Sequence, residues 1–524
     1  MSALPSARSQ LNRATAGTLP GARELEQLIH AGLTVEDESG NLRPQLADAA
    51  PTVENGLWKL FPDGRMETTW RIKPNAMWHD GTPLTSEDIV FTARVAQDKD
   101  LALFGQLAYD SVESVEAVDA HTVTVKWHRP FIEADTMFSG VGNFQPLPLP
   151  KHLLEQHFTE NKTGFLNQPY WAEAYVGAGP FKIRDWAQGS YVKLEAFDRY
   201  VSGRPKIDEI EIKFIPDPTT LVANILAGSV ELPLGRGLSL EQTLEVRERW
   251  QEGTVIFGPG GAIKVWPQFR YATVPQVADL RFRRAMYHGL DRQQMADTLM
   301  RGLSSVSHSV LIPTDREFAA LDPSVVRYDF DQRRAVALLE EMGLTRGADG
   351  YFRDASGQRI TVEVRATVID ILQKTALAIS DDWQKIGIAV EPHTITPGRQ
   401  NDREYRASFA AFDLSRGNNS VETFKTFFSS ESRGPENRYS GANYPNYQNA
   451  ELDVLINRFL VSVPMEERMD AGRQIVRHLS ENLVVMPAFH DVVGGMTANR
   501  ILNVPAKPSQ NQTTTWNAHE WDSL

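Results

Sequence analysis

Trp70-Arg71-Ile72-Lys73-Pro74-Asn75-Ala76-Met77-Trp78-His79-Asp80-Gly81-Thr82-Pro83-Leu84-Thr85-Ser86-Glu87-Asp88-Ile89-Val90-Phe91 reads as strand, turn and helix in that order. The strand begins a little earlier. Met66, Thr68, Trp70 and Ile72 point one way and Glu67, Thr69, Arg71 and Lys73 the other, the period of a half-buried strand. His79 beside Asp80 resembles a catalytic pair, but Gly81-Thr82-Pro83 follows at once, so the segment reads as a turn that orders the next helix. Thr85 with Asp88 three residues on is a capping pattern, and Ile89, Val90, Ala93 and Ala96 then recur at helical spacing.

The same alternation of elements continues outward. Val123, Val125 and Trp127 repeat the strand period against Thr122, Thr124 and Lys126. Ile210, Ile212 and Phe214 form another strand; Asp217-Pro218-Thr219-Thr220 opens a helix carrying Leu221, Val222 and Ile225. Gly228 is placed to end that helix, and residues 230–232 are expected to extend again. In the second half Ile360, Val362 and Val364 read as a strand, 371–386 as a helix, Gly387 as its C-cap and Ile388 with Val390 as the next strand. Such strand–helix–strand units favour mixed or parallel sheets with right-handed crossovers. Two helical stripes follow, Leu452, Leu455, Ile456, Phe459 and Leu460, then Met469, Gly472, Val476, Leu479 and Leu483. The expectation is an α/β protein of two lobes, mixed sheets flanked by helices, the first lobe elaborated by an extra sheet-rich subdomain.

A chain of 524 residues is long enough for two or three domains with buried cores. Its net charge of −13 repels phosphate backbones and anionic lipid, which argues against nucleic acid as a partner. Cysteine is absent, so disulfides, thiol nucleophiles and Cys-ligated metals are excluded. No stretch is long and apolar enough to span a bilayer, and the segment 1–16 is polar, without the apolar run of an export signal. Either the protein is cytosolic or its export signal lies outside this sequence.

Motifs for chemistry fail on their details. Gly258-Pro259-Gly260-Gly261-Ala262-Ile263-Lys264 has Ile263 where a phosphate loop needs glycine and Val265 where it needs a hydroxyl, so it is expected to be a turn. Gly177-Ala178-Gly179-Pro180 is no dinucleotide fingerprint, because Pro180 removes an N–H and the third glycine is missing. Neither a His-Glu-x-x-His zinc motif nor a Gly-x-Ser-x-Gly elbow occurs, and His152 and His157 fall on different helix faces. The expectation is no catalytic residue, no metal and no cofactor. Among 11 Trp, 13 Tyr and 24 Phe, most must be core and a minority are candidates for lining a ligand site.

The stretch from Trp70 to Phe91 resembles the signature of the family 5 extracellular solute-binding proteins, the oligopeptide, dipeptide, nickel and opine group. The resemblance continues in family order through 177–182, 197–200 with 203–206, 215–220, 227–232, 279–285 with 290–292, 331–343, 383–388 and 449–477. It implies a two-lobed periplasmic-binding-protein fold of type II, in the large cluster with an extra subdomain. Lobe I is expected over 1–262 plus 489–524 with the extra subdomain at about 45–180, lobe II over 263–488, and hinge crossings near 262–270 and 486–491. It also implies a periplasmic or membrane-anchored receptor, a monomer that closes over a small ligand in the inter-lobe cleft and is recognised by the membrane subunits of an ABC permease. The competing readings are a chemosensory or regulatory receptor and a hydrolase on a similar scaffold.

In the family's peptide-binding members a lobe II loop carries an aromatic residue and an Asp that pairs with the peptide ammonium, then Asp-Pro. The matching stretch here is Phe412-Asp413-Leu414-Ser415-Arg416-Gly417-Asn418-Asn419-Ser420-Val421, with Ser420-Val421 in place of Asp-Pro and Gly417 near the ammonium-pairing position. Two readings of Arg416 stand. With Asn418 and Asn419 it contacts an anionic or polar acceptor group of the ligand; alternatively it pairs internally with Asp413 or Glu422, or lies in solvent. Phe412 and Asp413 are further ligand candidates, as are Gly32 and Leu33 in the Ala31-Gly32-Leu33 turn, Phe144 and Gln145 in a Gly/Pro-rich loop, and Trp266 and Arg270 on the first crossing.

Overall fold

The computed structural model describes residues 21–98, 100–101, 107–139, 146–172, 174–235, 237–417, 420–505 and 514–524. Thr85 and Asp88 form the reciprocal capping box that starts the helix Ser86–Ala96. One Asp88 oxygen accepts from the Thr85 amide at 2.9 Å and the other from the Lys151 amide at 2.9 Å. A single carboxylate therefore holds the first turns of two helices, the second being Lys151–Glu160. Phe91 and Val95 then bury against Leu154, Phe158, Phe165 and Trp171.

Strands β1 (Thr34–Glu36) and β2 (Leu42–Pro44) form an antiparallel pair. Strands β3 (Trp58–Leu60), β4 (Met66–Arg71), β5 (Val112–Asp119) and β6 (Thr122–Trp127) make an antiparallel sheet in the order β3-β4-β6-β5. Met66, Thr68 and Trp70 lie opposite Trp127, Val125 and Val123 on its buried face. Thr68 is tolerated there because its hydroxyl accepts from the Trp127 indole N–H at 3.0 Å. Strands β7 (Phe181–Ala187), β8 (Tyr191–Ala196) and β9 (Glu209–Lys213) form a second antiparallel sheet, on which the helix Ala22–Ile29 packs Leu25, Leu28 and Ile29.

Here the structure corrects the sequence reading. β9 pairs antiparallel with β8, and residues 230–232 form no strand, so no strand–helix–strand unit exists at this point. Gly228, at φ +71°, turns the chain out of the helix Pro218–Leu226, and Leu232 packs onto the helix–sheet core without pairing.

The segment 177–179 explains its glycines. A Cβ on Gly177 would lie 1.9 Å from the Ile29 carbonyl oxygen, and one on Gly179 2.4 Å from the His30 amide nitrogen. Two imidazoles hold this backbone. His79 Nδ1 accepts from the Gly177 amide at 3.2 Å and its Nε2–H donates to the Gly179 carbonyl at 3.1 Å. His30 Nδ1 accepts from the Ala178 amide at 3.3 Å while its Nε2–H donates to the Pro148 carbonyl at 2.9 Å. Both bonding patterns require neutral rings. His79 is thus structural, and Asp80 bonds His152 Nε2 at 2.7 Å instead.

Strand β10 (Gly253–Pro267) contains the expected turn at 258–261, which instead runs extended, none of its glycines having positive φ. Strands β11 (Thr345–Arg346) and β12 (Phe352–Arg353) form a small hairpin. Strands β13 (Thr361–Thr367), β14 (Ala389–Ile395), β15 (Phe412–Arg416) and β16 (Met486–Ala498) join β10 in a five-stranded sheet of order β14-β13-β15-β10-β16. β13 is parallel to β14, through the crossover helix Asp370–Lys385, and to β15; β15 is antiparallel to β10. Near the C-terminus, β17 (Ile501–Leu502) pairs with β18 (Asp522–Ser523).

The chain divides into two units, Met1–Gly258 with Val493–Leu524, and Pro259–Val492. The divisions fall inside β10 and β16, beside Gly260-Gly261 and Gly494-Gly495.

Two outcomes follow from the clamp. Gly177→Ala should lose at least about 2 kcal/mol of unfolding free energy in urea, because backbone cannot yield to the new Cβ. Burial pushes His79 down from 6.5 to about 4. With the folded value below the unfolded one, neutral His79 stabilises the fold above pH 6.5, and that contribution is lost as pH falls toward 4, at about 1.4 kcal/mol per unit. Urea titrations at pH 7 and pH 5 should show this fall, reduced in His79→Gln.

Candidate functional site

Strand parity sorts the residues of the Pro259–Val492 unit. β15 aligns Asp413 with Trp266 and Ser415 with Lys264 on β10, and Asp413 with Arg365 on β13. These five side chains share one face of the sheet; Phe412, Leu414 and Arg416 lie on the other.

Asp413 is fully buried. Its Oδ2 accepts from Arg365 Nη2 at 2.8 Å and Nε at 3.3 Å, and Arg406 Nη1 approaches to 3.5 Å. Arg365, also buried, donates to the carbonyls of Tyr405 and Arg406 and lies over the Tyr405 and Phe409 rings. Arg433 sits 4.5 Å and Arg406 5.6 Å from the Tyr444 ring centroid, and Arg406 donates to the Tyr444 hydroxyl. Burial pushes that hydroxyl up to about 12. Tyr444 in turn lies 5.3 Å from the Trp266 ring, whose indole N–H donates to Ser415 Oγ at 2.7 Å.

The far end of this aromatic run holds Lys264, only 5% exposed, with Nζ 5.8 Å from the Trp266 ring centroid. Desolvation pushes its ammonium down to about 7. A Cβ at Gly417 would lie 3.8 Å from that Nζ, the only heavy atom within 4 Å among the described residues. The face therefore carries the cations Lys264, Arg365, Arg406 and Arg433 around the buried Asp413; Glu363, 4.0 Å from Arg365, stands at the margin.

The expected ligand residues fare differently. Phe412 has no exposed surface and packs on Trp383 at 4.8 Å between ring centroids, and Asp413 is enclosed by its arginines, so neither presents a surface to a ligand. Arg416 does pair internally, but with Asp491 Oδ2 at 3.4 Å rather than with Asp413, which lies on the opposite face. Gly32 and Leu33 are buried with their backbone groups engaged: the Gly32 amide donates to Gln45 Oε1 and the Leu33 amide to the Phe138 carbonyl. Arg270 lies on the surface, bidentate to Glu436 at 2.6 and 3.2 Å. Trp266 lies on β10, its ring beside Tyr444 and Lys264. Asn418, Asn419, Phe144 and Gln145 lie outside the described residues. The sequence reading missed Lys264, Arg365, Arg406, Arg433 and Tyr444. The signal for Lys264 was a lone cation inside an otherwise apolar strand run, Ala262-Ile263-Lys264-Val265-Trp266; Arg365 alternates with Val364 and Ala366 but shares its strand with Glu363.

No group of three or more metal-ligating side chains occurs among the described residues, and no helix there is long and apolar enough to cross a membrane.

Two α/β units joined by two strands, with a mixed five-stranded sheet in the second, define a periplasmic-binding-protein fold. The solved oligopeptide-binding protein of Thermus thermophilus with a pentapeptide shares it at TM-score 0.79 and 21% identity, covering 100% of this chain and 95% of that one. NikA of Brucella suis with Fe(III)-EDTA does so at TM-score 0.78 and 18% identity, covering 100% and 99%. In sequence, the oligopeptide-binding protein AppA of Bacillus subtilis is 25% identical over 466 residues, 83% of this chain and 75% of the relative. Residues 42–434 match the family described as bacterial extracellular solute-binding proteins, family 5 Middle, and the chain belongs to that family. It is a solute-binding protein of the ABC-importer type.

Removing one partner of the buried pair leaves an uncompensated charge, so Arg365→Met should cost about 3–5 kcal/mol in chemical denaturation, and Arg365→Met with Asp413→Leu should recover most of it.

Proposed function

We propose that this protein, working as a monomer outside the cytoplasm, captures a small solute bearing an anionic or polar acceptor group and delivers it unchanged to an ABC permease. The observation that carries the ligand class is Gly417, the residue after β15, near which peptide-binding members of the family are expected to keep the Asp that pairs with a peptide ammonium. Without that carboxylate, and with Lys264 Nζ 3.8 Å from where a Cβ at this position would lie, an ammonium loses its counter-charge and meets a cation. The acidic chain overall, with a net charge of −13, speaks against nucleic acid as a partner. The named relatives bind ligands as different as peptide and metal chelate. The fold therefore leaves ligand chemistry to side chains.

A thermal-shift screen across peptides, sugars, organic acids and metal chelates tests the reading. An acid present at about 100 times its Kd should add about 2.7 kcal/mol of stability. Stabilisation by ordinary peptides alone would overturn the ligand class, and turnover of any hit would overturn the receptor reading. Arg416→Ala should weaken the acid about tenfold; unchanged affinity removes Arg416 from the site.

A further inference from the structure

We infer that Lys264 is the specificity-determining residue of the solute site, and that with Gly417 it forms a receptor for a carboxylate or related oxyanion of the ligand. The inference rests on the solute-receptor reading above and deepens it. Gly417 has no side chain, and a Cβ there would have Lys264 Nζ, 3.8 Å away, as its only close neighbour among the described residues. The volume that an Asp side chain would fill is thus bordered by an ammonium. A carboxylate carbon about 1.5 Å beyond that Cβ position brings its oxygens within hydrogen-bond reach of Nζ. Where the family resemblance implies a carboxylate that takes up an ammonium, here the chain supplies the ammonium, and the solute supplies the carboxylate. The polarity of the contact is inverted.

The surroundings suit that role. Lys264 projects from a strand on which its neighbours Ile263 and Val265 are fully buried, and its ammonium lies 5.8 Å from the Trp266 ring centroid. Trp266 is fixed by its bond to Ser415 Oγ and by Tyr444, so the aromatic floor is rigid before a ligand arrives. Arg406 and Arg433 on Tyr444 extend the positive potential along the same run. Desolvation holds the ammonium down at about 7, which marks the low-dielectric surroundings in which an anion beside it is attracted most strongly.

The test is isothermal titration of the full chain with a matched panel, each scaffold offered as carboxylate, amide and amine, together with di- and tripeptides. Wild type should bind carboxylates and reject the amide and amine counterparts. Lys264→Met should weaken the carboxylate hits at least about thirtyfold. Gly417→Asp, which places an internal carboxylate beside Lys264, should weaken them comparably, and it carries the test if Lys264→Met fails to fold. Carboxylate affinity in Lys264→Met or Gly417→Asp within twofold of wild type overturns the inference, as does wild-type preference for amines or peptides; the receptor reading survives both. Binding of nothing in the panel by wild type contradicts the receptor reading itself, and the inference falls with it.

Discussion

A charge placed inside a sheet must be met by its opposite from a neighbouring strand, and the Arg365–Asp413 pair is where this chain satisfies that requirement. Both side chains are buried, 2.8 Å apart, on strands that run parallel at the centre of the five-stranded sheet. The pair fixes register as well as charge. A slip of β15 by one residue would set Phe412 among the arginines and drive Asp413 against Trp383, away from Arg365. Once Asp413 faces Arg365, parity assigns the rest: Ser415 and Lys264 to the same face as Trp266, Arg416 to the other, and Gly417 to the place where the Lys264 ammonium arrives.

Much of the scaffold was legible because its determinants are local. The Thr85–Asp88 capping box, the alternation of β4 and β6, and the crossover from β13 through Asp370–Lys385 to β14 all depend on residues a few positions apart. The misreadings share the opposite character. Residues 230–232 have the composition of a strand, but β9 already has its partner in β8. Gly258-Pro259-Gly260-Gly261 has the composition of a turn, yet lies within a long strand that crosses from one unit to the next. Pairing partners decide both cases, and composition does not carry them.

The site was legible in part for the same reason. The resemblance pointed to β15 and the loop after it, and Trp266, read as part of a crossing, pairs with β15. It could not say which face each residue takes, so Phe412 and Asp413, both enclosed, stood beside Arg416 as equal candidates. Arg406, Arg433 and Tyr444 come from separate segments, and only tertiary packing brings them together. Lys264 was visible as a lone cation in an apolar run, but nothing local distinguishes such a lysine from one that reaches the surface. The net charge of −13 also points away from an anionic ligand, whereas a few buried cations on a low-dielectric face set the local field there.

The most direct measurement is a crystal structure of the protein with the solute it carries when purified from its native compartment. Inverted polarity places an oxygen of an acidic group on that solute within hydrogen-bond distance of Lys264 Nζ, in the space beside Gly417. A positively charged nitrogen in that space, or a solute with no polar group near Lys264, would contradict it.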